Sequence, residues 1–102
     1  MKLGVFTVLF AGRPFEEALD YIASKGLEAV EIGTGGYPGK AHCDPDVLLG
    51  DEGKLKAFKK AVESRGLTIS ALSCHGNPLH PQKQIAKEFD DAIVKTIELA
   101  QR

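Results

Sequence analysis

The stretch "SKGLEAVEI" (residues 24–32) returns in outline as "SRGLTISAL" (residues 64–72), 40 residues further on. Each opens with serine, a basic residue and glycine. Each then enters a β-rich run through leucine. A basic side chain suits the negative end of a helix dipole, and a glycine just past a helix takes up the left-handed cap. Both stretches therefore read as the close of a helix and the start of a strand, and their offset is about one βα unit.

The same logic extends outward. "KLGVFTVLF" (2–10) is short, apolar and rich in β-formers, and reads as a buried strand. "RPFEEALDYIASKG" (13–26) reads as a helix with Pro14 in its first turn. Glu16 and Glu17 sit near its positive end, Lys25 near its negative end, and Phe15, Leu19 and Ile22 form one apolar stripe. "LEAVEIG" (27–33) is the second strand, and residues 34–50 form a long Gly/Pro-rich connection. Residues 51–66 read as the second helix, with Leu55, Phe58 and Val62 facing inward and Gly66 as its cap. "LTISALSC" (67–74) is the third strand. Residues 82–102 are the third helix, with Ile85, Phe89, Ile93 and Ile97 spaced at four.

The order βαβαβα predicts an α/β fold: three consecutive βα units with parallel strands and crossover helices, in one domain spanning 1–102. Right-handed crossovers place the first two helices on one face of the sheet. By the repeat, a glycine and an apolar strand should follow the third helix, but the sequence stops at "ELAQR". Two readings follow: part of a longer βα protein, or a complete small layered domain. Open edges of a parallel sheet are usually covered, which favours the first.

Composition narrows the class. Of 102 residues, 43% are hydrophobic and 26% charged, which fits a soluble globular chain. A formal net charge of −1 gives no basic field for nucleic acid or an anionic membrane. No apolar run approaches the roughly 20 residues of a membrane helix. The opening "MKLGVFTVLFAGRP" reads as a strand leading into a helix, not as a signal peptide. Cys43 and Cys74 belong to no CxxC pair and read as free thiols, so a cytoplasmic location is expected.

In α/β folds, ligands bind beyond the carboxyl ends of the strands. The chemically able residues gather there. The first loop offers Arg13, the second Glu31, Thr34, Tyr37, His42 and Cys43, and the third Cys74, His75, Asn77 and His80. The opposite turns are the short "KG" and "RG" caps, and elaboration of one rim is how this architecture carries sites. Alternation puts Ala29 and Glu31 on one face of the second strand, Val30 and Ile32 on the other. A carboxylate inside a strand needs a partner or a task. Glu31 is either a base or sugar-hydroxyl acceptor, or one half of an ion pair with Arg13 or Lys2. His75 and His80 carry imidazoles able to ligate metal or exchange protons, or to serve as loop residues bonded to backbone. Asn77 is a hydroxyl binder or an ordinary turn residue in "GNP". Irregular spacing disfavours a zinc site built from His42, Cys43, Cys74, His75 and His80. "GTGGYPG" (33–39) matches no phosphate-loop pattern, and its glycines read as turn or lid residues.

"KLGVFTVLF", "GLEAVEIGTGGYPG", "HCDPDVLL" and "GLTISALSCHGNPLHP" together resemble the opening of the sugar phosphate isomerase/epimerase family, in the xylose-isomerase-like branch of TIM barrels. The resemblance covers essentially the whole chain. It implies the first three of eight βα units in a barrel of about 250 residues. It also implies a parent enzyme that uses a divalent metal (Mn, Mg, Co or Zn) and acts on a small sugar or sugar phosphate. The main metal ligands would come from later strands, so no metal is expected on this chain alone, and the chain alone is not expected to catalyse. Glu31 and His75 carry over as substrate-side groups, with Tyr37, His42, Asn77 and His80 as further substrate-binding candidates. The rival expectation is a non-catalytic fragment that forms homo-oligomers through its open sheet edges. A third is a phosphodiesterase like the apurinic endonucleases of the same superfamily. The balanced charge, without a Lys/Arg stripe, speaks against it. No nucleic-acid or membrane partner is expected.

Overall fold

The computed structural model describes residues 1–102. Strand β1 (Gly4–Phe6) is followed by a 3-10 turn (Thr7–Phe10) and helix α1 (Phe15–Ser24). Strand β2 (Ala29–Gly36) leads to a short helix α2 (Pro45–Gly50) and then α3 (Glu52–Glu63). Strand β3 (Thr68–His75) and helix α4 (Lys83–Ala100) close the chain. The three strands form one parallel sheet in the order β1-β2-β3, so the fold is α/β with alternating helices. No helix is long and apolar enough to cross a membrane.

The repeat does its expected work. Gly26 and Gly66 close α1 and α3 with φ of 79° and 71°, a conformation that glycine adopts without a Cβ penalty. The chain then passes directly into β2 and β3. Val30 and Ile32 point from β2 into a core shared with Leu19 and Ile22 of α1 and Leu55 and Val62 of α3. Leu99 of α4 joins the same cluster, so all the long helices lie against one face of the sheet. Across that layer the Phe15 and Phe58 rings stack at 4.8 Å. Arg65, just past α3, reaches Asp20 of α1 at 2.6 Å. The first two crossover helices are therefore neighbours, as the handedness rule requires.

Four boundaries depart from the pattern. The first apolar run is a strand only over Gly4–Phe6. Thr7–Phe10 turns instead, with Ala11 N–H donating to Val8 O and Arg13 N–H to Phe10 O. A short apolar run does not by itself distinguish a strand from a helical turn. Pro14 sits at the N-cap, with extended ψ of 148°, not inside the first turn. The connection after the second strand is more ordered than its composition predicts. Strand β2 runs on through Gly36, and Asp44 caps α2 by accepting from Asp46 N–H at 3.0 Å, with Pro45 in the first turn. "DPD" is a helix-start signal. Finally, Ile97 is exposed, while Thr96 and Leu99 are buried. Residues spaced at four drift about 40° per step around an α-helix, so by Ile97 the row has turned about 120° from Ile85. The buried face instead steps from Thr96 to Leu99.

Candidate functional site

The open face of the sheet carries the candidate site. Glu31 projects there from the central strand, half-buried, in a shallow hollow of about 260 Å³ that it shares with Lys2, Gly4, Phe6, Ala29 and Ser70. Its carboxylate accepts a hydrogen bond from the Ser73 hydroxyl of β3. Glu31 pairs in register with Ala71, so Ser73 lies two residues further along the neighbouring strand, on the same face. Neither Lys2 nor Arg13 forms an ion pair with Glu31. The carboxylate is thus oriented by a neutral donor, and its remaining acceptor positions face the open side of the sheet. Sequence reasoning missed Ser73. The alternation in "SALSC" held the signal, because it sets Ala71 and Ser73 on the face that Ala29 and Glu31 occupy.

The carboxyl ends of β2 and β3 are locked together. Gly36 pairs with His75, and Tyr37 N–H donates to His75 O. Gly36 has φ of 68°, and a Cβ there would fall 1.9 Å from His75 O, so no other residue fits without moving the strand end. His75 itself is exposed at the end of β3, its imidazole without a protein partner. Tyr37 is exposed, and its ring leans on Phe89 of α4 at 5.4 Å. Thr34, by contrast, is buried. Its hydroxyl meets Thr96 of α4 at 2.8 Å and donates to Ser73 O at 3.3 Å, which joins the two strands to the helix layer.

The remaining candidates are engaged in holding loops. His42 donates through Nε2 to Arg13 O at 2.8 Å and packs near the Phe15 ring. It thereby ties the second rim loop to the first. A carbonyl only accepts, so Nε2 carries a proton. Arg13 places its guanidinium over Tyr21, 5.4 Å from the ring centroid. Asn77 accepts from Leu79 N–H at 3.1 Å through Oδ1 in an Asx turn. His80 accepts from Gln82 N–H at 3.0 Å through Nδ1, just ahead of α4. Cys43 is buried, and burial, reinforced by the neighbouring Asp44 carboxylate, pushes its thiol up to about 12. It is a packing residue with no thiolate at neutral pH. Cys74 is a free, partly buried thiol beside Gly35.

Metal fit can be judged from the donors. No three His, Cys, Asp or Glu side chains come together into a group able to hold a metal ion. Neither Glu31 nor His75 belongs to such a group. "GTGG" (33–36) is strand, and only Tyr37–Gly39 turns, with Gly39 N–H donating to Gly36 O. The largest groove, about 450 Å³, lies elsewhere, on the helix side of the β3 edge. Its lining is mostly apolar, with Lys59, Ser70 and Arg102 among it, and it holds no carboxylate, imidazole or thiol side chain.

Fold and rim together define an α/β βα-repeat chain with its polar groups at the carboxyl ends of the strands. No protein-family model matches it. It is similar to a protein of Bacillus subtilis (strain 168) named "Uncharacterized protein YfiH", 40% identical over 100 residues, which is 98% of this chain and 32% of that protein. The chain therefore spans about a third of the length of the curated relative it matches.

Proposed function

We propose that this chain is the opening three βα units of a cytoplasmic, metal-dependent sugar or sugar-phosphate isomerase or epimerase of the xylose-isomerase-like barrel family. One observation carries the reading. Glu31 stands on the uncovered face of the sheet, oriented by Ser73 and free of any cation, in line with a rim where His75 is also free. A carboxylate held this way accepts hydrogen bonds from substrate hydroxyls, and a neighbouring imidazole donates or accepts as its proton dictates. Both act on the substrate side of the reaction. Further βα units supply the rest of the site, including whatever holds a divalent ion. The family motifs quoted above and the one-sided elaboration of the loops support the same reading.

The test is made in the completed barrel. Candidate aldoses, ketoses and their phosphates are incubated in D2O, and NMR follows deuterium entering at the carbon next to the carbonyl. Glu31→Gln and His75→Ala are each expected to lower turnover about tenfold or more. Unchanged rates in both would overturn the assignment of these residues, and no exchange with any sugar would overturn the class.

A further inference from the structure

Strands β2 and β3 do not keep a single register. Val30 pairs with Ile69 and Glu31 with Ala71, so Ser70 is an extra residue on β3. Further along, Gly33 pairs with Ser73 and Gly35 with Cys74, so Thr34 is an extra residue on β2. The two bulges lie on opposite strands and cancel. Between them three pairs, Glu31–Ala71, Ile32–Leu72 and Gly33–Ser73, run one residue out of step with the pairs on either side.

A slip of one residue moves every side chain of a strand to the other face. Ile69 pairs with Val30, which is buried in the helix-side core. Strict alternation from Ile69 would therefore send Ala71 and Ser73 into the helix layer and Leu72 out to the open face. The bulge at Ser70 reverses this. Leu72 packs against the helix-side core, and the Ser73 hydroxyl donates to the Glu31 carboxylate. His75, two residues on, follows Ser73 to the same face.

A hydroxyl holds each bulge. Ser70 donates to Val30 O at 3.2 Å. Thr34, buried, donates to Ser73 O at 3.3 Å and meets Thr96 of α4 at 2.8 Å. Thr34 thus fixes the backbone of the residue whose side chain holds Glu31. Ser73 itself is only 3% exposed, and a buried hydroxyl takes a partner. Bulges recur where a strand has to re-aim a side chain beside a site.

We propose that Ser73 is a positioning residue of the Glu31 site, turned onto the open face by the paired bulges at Ser70 and Thr34. It acts through Glu31. Its hydroxyl engages Oε1 and leaves Oε2 for a hydroxyl of the ligand. The inference deepens the functional reading above and rests on it for the class of that ligand.

NMR of the 13C,15N-labelled chain provides the test. Cross-strand nuclear Overhauser contacts are expected between Glu31 and Ala71 and between Gly33 and Ser73. Direct pairing of Glu31 with Ser70 and of Gly33 with Leu72 would overturn the proposal, and this reading needs no variant. Ser73→Ala removes the hydroxyl. It is expected to shift the Glu31 Cδ resonance and to average the Glu31 side-chain couplings, while the amide signals of the helix layer stay in place. Ser73→Thr, which restores a hydroxyl, is expected to bring the Glu31 signal back towards wild type. A Glu31 signal that Ser73→Ala leaves unmoved would overturn the proposal. In the completed barrel, Ser73→Ala is expected to lower turnover about threefold to tenfold, yet to cost no more than about a further twofold when added to Glu31→Gln. Losses that simply multiply would show Ser73 acting independently of Glu31 and would also overturn it. A barrel that turns over no sugar sinks the functional reading, while the Glu31 resonance still decides the role of Ser73, so the two failures are told apart.

Discussion

The two faces of strand β2 differ sharply in what they carry. Val30 and Ile32 are fully buried under α1 and α3, while Glu31, between them, looks out over a sheet that nothing covers. The helix face is finished. It has stacked rings, a continuous aliphatic cluster and a buried Thr34–Thr96 bond. The other face has a carboxylate, a serine and a hollow. A face of the first kind holds a fold together, and one of the second kind is where a fold of this class does its chemistry.

If that division holds, substitutions should sort by face and by strand end. The largest loss is expected from Gly36→Ala at the join between β2 and β3. The added Cβ collides with the His75 carbonyl in a left-handed backbone conformation, and destabilisation on the order of 4 kcal/mol or more in urea titrations is expected. Ile32→Ala, on the helix face, removes buried methylene groups from a packed cluster and should cost about 3 kcal/mol.

A smaller, pH-dependent effect is expected at Cys43. Burial raises its folded pKa from the ordinary thiol value of 9.0 to about 12, so the folded state holds this proton more tightly than the unfolded state. The stability it contributes is full below about pH 9 and is lost progressively as pH rises towards 12. Denaturation midpoints between pH 8 and pH 11 should fall more steeply in the wild type than in Cys43→Ala. Native alkylation at pH 8 should spare Cys43. The smallest change in stability is expected for Glu31→Gln, within about 1 kcal/mol, because its face is open and the amide still accepts from Ser73. A large loss there would mean that Glu31 serves the fold and not a ligand.

The parallel α/β order was legible because helix caps and strand entries leave strong local signals: the Gly26 and Gly66 caps lie where the repeat puts them. The side of the sheet that Glu31 occupies was legible from alternation alone. What stayed hidden depended on tertiary neighbours. Thr7–Phe10 is as apolar as a strand, and only the course of the chain beyond Phe6 makes it a turn. Ile97 belongs to an apparent stripe whose spacing drifts off the buried face. At the rim, His42, Asn77 and His80 have the composition of ligand residues, yet each spends a polar atom on nearby backbone. Side-chain type does not announce that use. Ser73 was overlooked because its role exists only through the pairing of two strands.

The most direct test is an NMR titration of the 15N-labelled chain with small sugars and sugar phosphates up to millimolar concentration. Saturable shifts are predicted at Glu31, Ser73, His75 and the Gly33–Tyr37 segment, while the Lys25–Gly26 and Arg65–Gly66 turns at the other end stay still. Saturable shifts confined to those turns or to the helix layer, or none at all, would contradict the assignment of the open face and its carboxyl rim as the ligand side of this protein.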